Sequence, residues 1–228
     1  MEYTIWKIND SRDKYVKNIT DTIELRRTQI LCVDGSDQDL VDRELSLRNL
    51  EGRLDYLNTS GELGVWLTFI NAMEYCVERG TPLLTIEDDA VLGDKFMQQF
   101  YERIRELPRD FDFFSLFIPR DHDHWAKYSP DMDENGIITN GEAKYVGPLR
   151  CRVSEKLFKP WQRYGGVSML WSPAGAKKVL DLIQTSVFGQ WDEYVYAGSR
   201  TGKLNGFTSN PAMSDLVYIR SEEQSLVH

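Results

Sequence analysis

The sequence predicts an α/β protein with a Rossmann-like, mostly parallel central sheet and flanking helices. Three observations carry that expectation. Short apolar runs alternate with helix-period segments over the first 120 residues, the pattern of successive βα units. One run, residues 82–86, is almost wholly apolar, as a strand buried on both faces requires. That run leads straight into Glu87, Asp88 and Asp89, and open α/β sheets bind ligands beyond the carboxyl ends of their strands.

Each element follows from local chemistry. Residues 3–8 form a β-rich run, and Asn9-Asp10-Ser11 can cap a helix over about 12–25. Residues 28–33 read as a second apolar strand stopped by Asp34-Gly35, and 37–50 carry an irregular helical leucine pattern. A clearer helix covers about 62–79, with Leu63, Trp66, Leu67, Ile70, Met73 and Val77 at helical spacing, and Gly80 closes it. After the acidic strand end come a helix at 94–106 and a strand at 113–118. Residues 119–163 mix His, Asp, Gly and Pro and read as a long excursion over the mouth or edge of the sheet. A strand at 164–171 precedes Ser172-Pro173, an N-cap with Pro at the first helical position, and then a helix to 183. Trp191-Asp192-Glu193 and a ragged tail complete the chain.

With 228 residues, 41% of them hydrophobic and 28% charged, the composition is that of one ordinary globular domain spanning 1–228. Six Trp, eleven Tyr and ten Phe suffice for a core and for a pocket that stacks flat ligands. The net charge of −9 and pI near 4.9 argue against a dedicated nucleic-acid binder, although a local basic groove stays compatible with them. Cys32, Cys76 and Cys151 are odd in number and lack a CxxC, so they read as reduced thiols of a cytoplasmic protein. No 18-residue apolar run is present, and the first residues are strand-like rather than a signal peptide. A soluble protein that visits any membrane-borne substrate as a peripheral guest is the expectation.

Glu87-Asp88-Asp89 is the sharpest chemical feature. Adjacent carboxylates repel one another unless a cation sits among them, and hard oxygen ligands suit Mg²⁺ or Mn²⁺ bridging to phosphate. The bland alternative is one helix-capping carboxylate and two solvated ones. The same cluster fits a metal-dependent phosphohydrolase.

The text around it resembles glycosyltransferase family 25, which includes lipopolysaccharide and collagen galactosyltransferases. Gly61-Glu62-Leu63-Gly64 resembles the family's "GE(I/L)G" helix start, and residues 84–90 its "(L/I)EDDA" strand end. Ile8-Asn9 with Arg12 is similar to an opening "INL…R", and Cys32-Val33-Asp34-Gly35 to the following "IDG". Gly165-Gly166 through Ser172-Pro173-Ala174-Gly175-Ala176 resembles "G…Y(V/L)IS..GA", and Trp191-Asp192 a "(V/P)D" before an apolar helix. The likeness covers roughly residues 3–195. It departs at Thr68-Phe69, where the family usually has Ser-His, and 120–159 has no counterpart.

This resemblance implies a GT-A-type fold that binds a nucleotide-sugar, UDP-linked, with Mn²⁺ or Mg²⁺, in the half spanning 1–120, and an acceptor in 121–228. It implies Asp89 as the principal metal ligand, with Glu87 or Asp88 meeting the metal, its water shell or the ribose. Asn9, Arg12 and Asp34 then lie where a nucleotide would, and Gly61, Glu62 and Gly64 at a helix start that can face phosphate. Thr59 or Ser60 reads equally as a plain N-cap, with Glu62 a first-turn acid. Asp192, or Glu193 beside it, is the candidate base of an inverting transfer, and Trp191 a surface for a sugar face. The acceptor is a glycan such as lipopolysaccharide, or a hydroxylated macromolecule such as hydroxymethylated viral DNA. Phe69 in the histidine's place leaves open a nucleotide-sugar-binding module without catalysis.

Two further stretches invite function. Asp121-His122-Asp123-His124-Trp125 reads as a solvated loop, as an acceptor contact or, short of a third His, as an incomplete metal site. Arg150, Arg152, Lys156, Lys159 and Arg163, with Phe158, Trp161 and Tyr164 interleaved, read as a mixed surface or as a grip for an anionic acceptor.

Overall fold

The computed structural model describes residues 1–7, 13–57, 59–117, 153–160, 165–209 and 216–218. In chain order its elements begin with β1 (Glu2–Trp6), α1 (Asp13–Thr22), β2 (Arg26–Arg27), α2 (Gln38–Leu47) and α3 (Ser60–Arg79). They continue with β3 (Leu83–Glu87), β4 (Ala90–Leu92), α4 (Phe96–Ile104), β5 (Phe113–Ser115) and β6 (Leu157–Phe158). The last are β7 (Ser168–Trp171), α5 (Pro173–Ile183), α6 (Trp191–Arg200), β8 (Gly206–Ser209) and β9 (Leu216–Tyr218).

Among the described residues the central sheet has seven strands in the order β2-β1-β3-β7-β5-β8-β6. β1 pairs in parallel with β2 and β3, and β5 with β8; β7 runs against β3 and β5, and β6 against β8. Five of the seven therefore share one direction, the mostly parallel α/β sheet that the sequence predicts. Successive strand residues feed opposite faces, as the pleat demands. Trp6, Leu83, Phe113, Met169 and Trp171 join α3, α5 and α6 in one core. Tyr3, Ile5, Leu84, Ile86, Phe114, Leu170 and Phe207 join α1, α4 and β4 in the other. Each face of the sheet is thus covered, which is why residues 83–86 carry no alternation and are all buried.

The helix ends obey the local signals. Thr59 caps α3 in a reciprocal box with Glu62, and Gly80 stops the helix in the left-handed region at φ 62. Ser172 accepts from the Gly175 amide at 3.0 Å, with Pro173 in the first turn of α5.

Two expectations need correction. Residues 28–33 are not a strand; only Arg26–Arg27 pair with β1. Side chains of α3 take the backbone groups that a ladder would have used: the Val33 amide donates to Thr68 Oγ1 at 2.9 Å, and Asn71 Nδ2 donates to the Leu31 carbonyl at 2.9 Å. The tail is not ragged throughout, since β8 enters the main sheet and β9 pairs with β4 in a separate two-stranded ribbon.

Candidate functional site

β1 and β3 run side by side in register, with Trp6 opposite Glu87 at their carboxyl ends. β7 starts at this same end, and the Glu87 amide donates to the Val167 carbonyl at 2.9 Å. Beyond Glu87 the chain turns through Asp88-Asp89 and leaves the main sheet for β4. Two turn-forming aspartates at that point suit the geometry. Both are buried. The strip Gly165-Gly166-Val167 therefore lies beside the acidic strand end.

Asp192 grips that strip. One of its oxygens, Oδ2, accepts from the amides of Gly165 at 2.8 Å and Gly166 at 3.3 Å, and Oδ1 accepts from the Glu193 amide at 2.8 Å. Burial pushes its carboxyl up to about 6, against the pull of those three N–H donors and with a further push from Glu193. Gly166 is needed here, because a Cβ would run into the Trp191 indole. Trp191 is pinned in turn by Phe69, stacked at 4.7 Å between centroids, and by Trp6, edge-on at 5.0 Å. The Tyr196 hydroxyl lies 2.8 Å from Ser115 Oγ and 3.0 Å from the Gly165 carbonyl, holding the strip from its other side.

Other candidates gather at the same end. Asp34 Oδ1 accepts from the Ser36 hydroxyl at 2.7 Å and amide at 2.9 Å, and these bonds hold its exposed carboxyl below the usual range. Burial raises the Cys32 thiol; the Lys7 amide opposes this and the Asp88 carboxylate adds to it. Gly35 and Gly64 are contact points between that segment and α3: a Cβ on Gly64 would come 2.5 Å from the Val33 carbonyl oxygen. Glu62 closes the capping box, and its Oε1 accepts from Gln190 Nε2 at 3.2 Å, tying the start of α3 to the start of α6. Gly61 lies in the first turn of α3. Glu193 lies against Gly189, where a Cβ would come 2.5 Å from its Oε2. Asn9 and Arg12 lie outside the described residues, as do 121–125, Cys151, Arg150, Arg152, Trp161, Arg163 and Tyr164.

One proposed surface does not survive. Trp191 is only 4% exposed and is enclosed by Trp6, Phe69 and Gly166, so its face does not meet a sugar. Of the basic-aromatic stretch, Lys156, Phe158 and Lys159 are among the described residues: Lys156 pairs with Glu102 at 3.1 Å, Phe158 is buried in β6, and Lys159 Nζ donates to Asn205 Oδ1 at 2.5 Å. A cleft of about 600 Å³ lined by Lys159, Lys178, Arg200 and Asp110 lies at the amino ends of β5 and β8, the opposite end of the sheet from Glu87-Asp89. The residues that sequence reasoning gave no chemical role are Gly165 and Gly166, through their backbone, and Tyr196, through its hydroxyl. For the glycines the sequence signal is their place at the head of the block that resembles "G…Y(V/L)IS..GA".

Fold and strand-end chemistry together define the class: an α/β protein with an open sheet and an acidic carboxyl end. No protein-family model matches the chain, and no curated protein matches its sequence. Among solved structures the chain is similar to the apo crystal structure of mouse xyloside xylosyltransferase 1, at 11% identity, over 89% of this chain and 69% of that one, with a TM-score of 0.37. Among the described residues no helix is long and apolar enough to cross a membrane.

Proposed function

We propose that the protein is a glycosyltransferase that moves a sugar from a nucleoside diphosphate, UDP by preference, to an acceptor hydroxyl with inversion. The observation that carries this reading is the buried Asp192 carboxylate hydrogen-bonded to the Gly165-Gly166 strip that borders Glu87-Asp88-Asp89. It joins a candidate base to a candidate phosphate end at the mouth of an α/β sheet.

The strand end offers oxygen donors, the type that Mg²⁺ and Mn²⁺ prefer. Among the described residues no three His, Cys, Asp or Glu gather into a ligand set. A partial site of one or two carboxylates fits a cation whose remaining ligands are substrate phosphate oxygens and water. Asp89 and Glu87 would hold it, with Asp88 turned to the ribose or the metal's water. When bound, such a cation neutralises the charge that develops on the departing diphosphate.

Asp192 takes the proton of the acceptor hydroxyl as its oxygen attacks the anomeric carbon and the bond to the diphosphate oxygen breaks. Its raised pKa, about 6, suits a base working near neutral pH. Glu193, one residue on, is the alternative base. Asp34, at the end of the 32–34 segment, accepts from the ribose or the base of the nucleotide, and the first turn of α3 at Gly61 faces the diphosphate. Asn9 and Arg12 complete the nucleotide contacts in this reading.

The test is release of nucleoside diphosphate from a panel of nucleotide sugars in Mn²⁺, with and without EDTA. Chelator-sensitive release from one donor supports the transferase and names its sugar. Release of phosphate or nucleotide that no acceptor accelerates supports a phosphohydrolase instead. Donor binding by calorimetry without turnover on any acceptor supports a binding module.

A further inference from the structure

Two exposed aromatic rings stand at the turn that leads into α6. Gly189, at φ 61, occupies a conformation that favours glycine, and its carbonyl accepts from Tyr56 Oη at 3.0 Å and from Trp66 Nε1 at 3.0 Å. The turn leading into α6 is thereby fixed. Two aromatic rings stand on it in solvent: Tyr56 is 40% and Phe188 45% exposed. Phe188 meets Tyr194 edge-on at 5.1 Å, so it is braced from beneath, and Tyr194 in turn donates to the Ser186 carbonyl at 2.8 Å. Exposed rings held this firmly carry a desolvation benefit that the folded chain itself leaves unused.

Among the described residues two carboxylates, Glu193 and Glu62, act on the Tyr56 ring. Glu193 lies against Gly189, and Glu62 is tied to Gln190, the residue after it. Arg53, the neighbouring cation of the 50–57 segment, donates to the Gln184 carbonyl at 2.6 Å at the end of α5 and is directed there. A phosphate backbone would meet carboxylates of its own sign at this ledge. A pyranose has the converse properties. Its C–H face stacks on an aromatic face, and its hydroxyls donate to carboxylates.

Resting on the transferase reading, we infer that the Tyr56–Phe188 ledge, flanked by Glu62 and Glu193, is the acceptor subsite and that it takes an uncharged carbohydrate rather than nucleic acid. The fixed Gly189 turn makes the subsite pre-formed, so little ordering opposes binding. Asp192 follows three residues beyond Gly189, in the first turn of α6.

The test measures binding alone. The unaltered protein and its Phe188→Ala and Tyr56→Ala variants are applied to a printed array holding neutral oligosaccharides, their sulfated and phosphorylated counterparts, and hydroxymethylated single-stranded and duplex DNA. The expected result is retention of neutral oligosaccharides, weakened at least about tenfold in Phe188→Ala. Tyr56→Ala weakens it further by removing a ring and a support of Gly189. Thermal melts of both variants exclude unfolding as the cause. Retention of anionic glycans or DNA alone overturns the inference, as does neutral-glycan binding unchanged in both variants. Donor turnover of the unaltered protein, assayed separately, keeps the two readings apart: neutral-glycan binding without turnover removes the enzyme and keeps the subsite, and turnover without such binding does the reverse.

Discussion

Asp192 sets two opposed effects against each other, and the winner is measurable. Three N–H donors favour its carboxylate, whereas burial favours the acid. Burial prevails and lifts the group from 3.8 to about 6. A folded-state pKa above the unfolded one means that the native protein holds a proton the unfolded chain has released. Its stabilising contribution is therefore complete below pH 3.8 and is lost as pH rises through about 6. At about 1.4 kcal/mol per pH unit, the loss is about 3 kcal/mol in all, of which about 2.5 falls between pH 4 and 7.5. Asp192→Asn keeps the shape and abolishes the titration. Urea unfolding of both proteins at half-unit pH steps isolates the term, since Glu2 and Asp34, with lowered pKa values, titrate equally in both. The stability difference between variant and parent should move about 2.5 kcal/mol in favour of Asn from pH 4 to 7.5. A flat difference, or one that moves toward Asp, would mean that the three amides outweigh burial, and the account of a poised base would fail with it.

Three further outcomes follow from the same end of the sheet. Gly35→Ala places a Cβ on the Ser60 carbonyl, a backbone atom that cannot swing aside; a loss of about 1–3 kcal/mol is expected by urea unfolding, and a loss below about 0.5 kcal/mol would show that the 32–34 segment is not clamped to α3. Thr59→Ala removes half of the capping box and should lower stability by about 1 kcal/mol, read from the thermal melt; an unchanged melt would leave α3 indifferent to its cap. Asp89→Asn should reduce metal-dependent donor turnover at least about tenfold with little change in melting temperature, and undiminished turnover would remove Asp89 from the cation site.

The sequence makes local features readable and leaves non-local ones hidden. The α3 capping box, the Gly80 stop, the Ser172-Pro173 start of α5 and the apolar β3 running into its acidic turn each rest on residues a few positions apart. By contrast, β7 inserts antiparallel between β3 and β5, a pairing of segments more than fifty residues apart that no periodicity reports. β8 reads Gly-Phe-Thr-Ser, weak as a strand by composition; its burial between β5 and β6 makes it one. Residues 28–33 mislead in the opposite way. They have strand composition, but Thr68 and Asn71 on α3 compete successfully for their backbone. Asp192 was legible as a candidate, whereas its partners Gly165 and Gly166 were not, because the hydrogen bonds span 26 and 27 positions.

Phe69 shows how an apparent defect in a motif changes meaning once packing is known. In the resembling family a histidine follows the "GE(I/L)G" helix start, and phenylalanine in its place suggests a lost proton carrier. Here the ring is fully buried, in contact with Trp6, Trp66, Trp171 and Trp191. An imidazole among four indoles would need a partner for each ring nitrogen, and its charged form would be strongly disfavoured. The position thus belongs to the aromatic wall that fixes Trp191, and Trp191 sets the first turn of α6 in which Asp192 lies. Replacing a polar group with an apolar one at this site removes a titratable residue and stiffens the support of another. In the proposed transfer, the proton is then assigned to Asp192 or Glu193, the carboxylates in the first turn of α6.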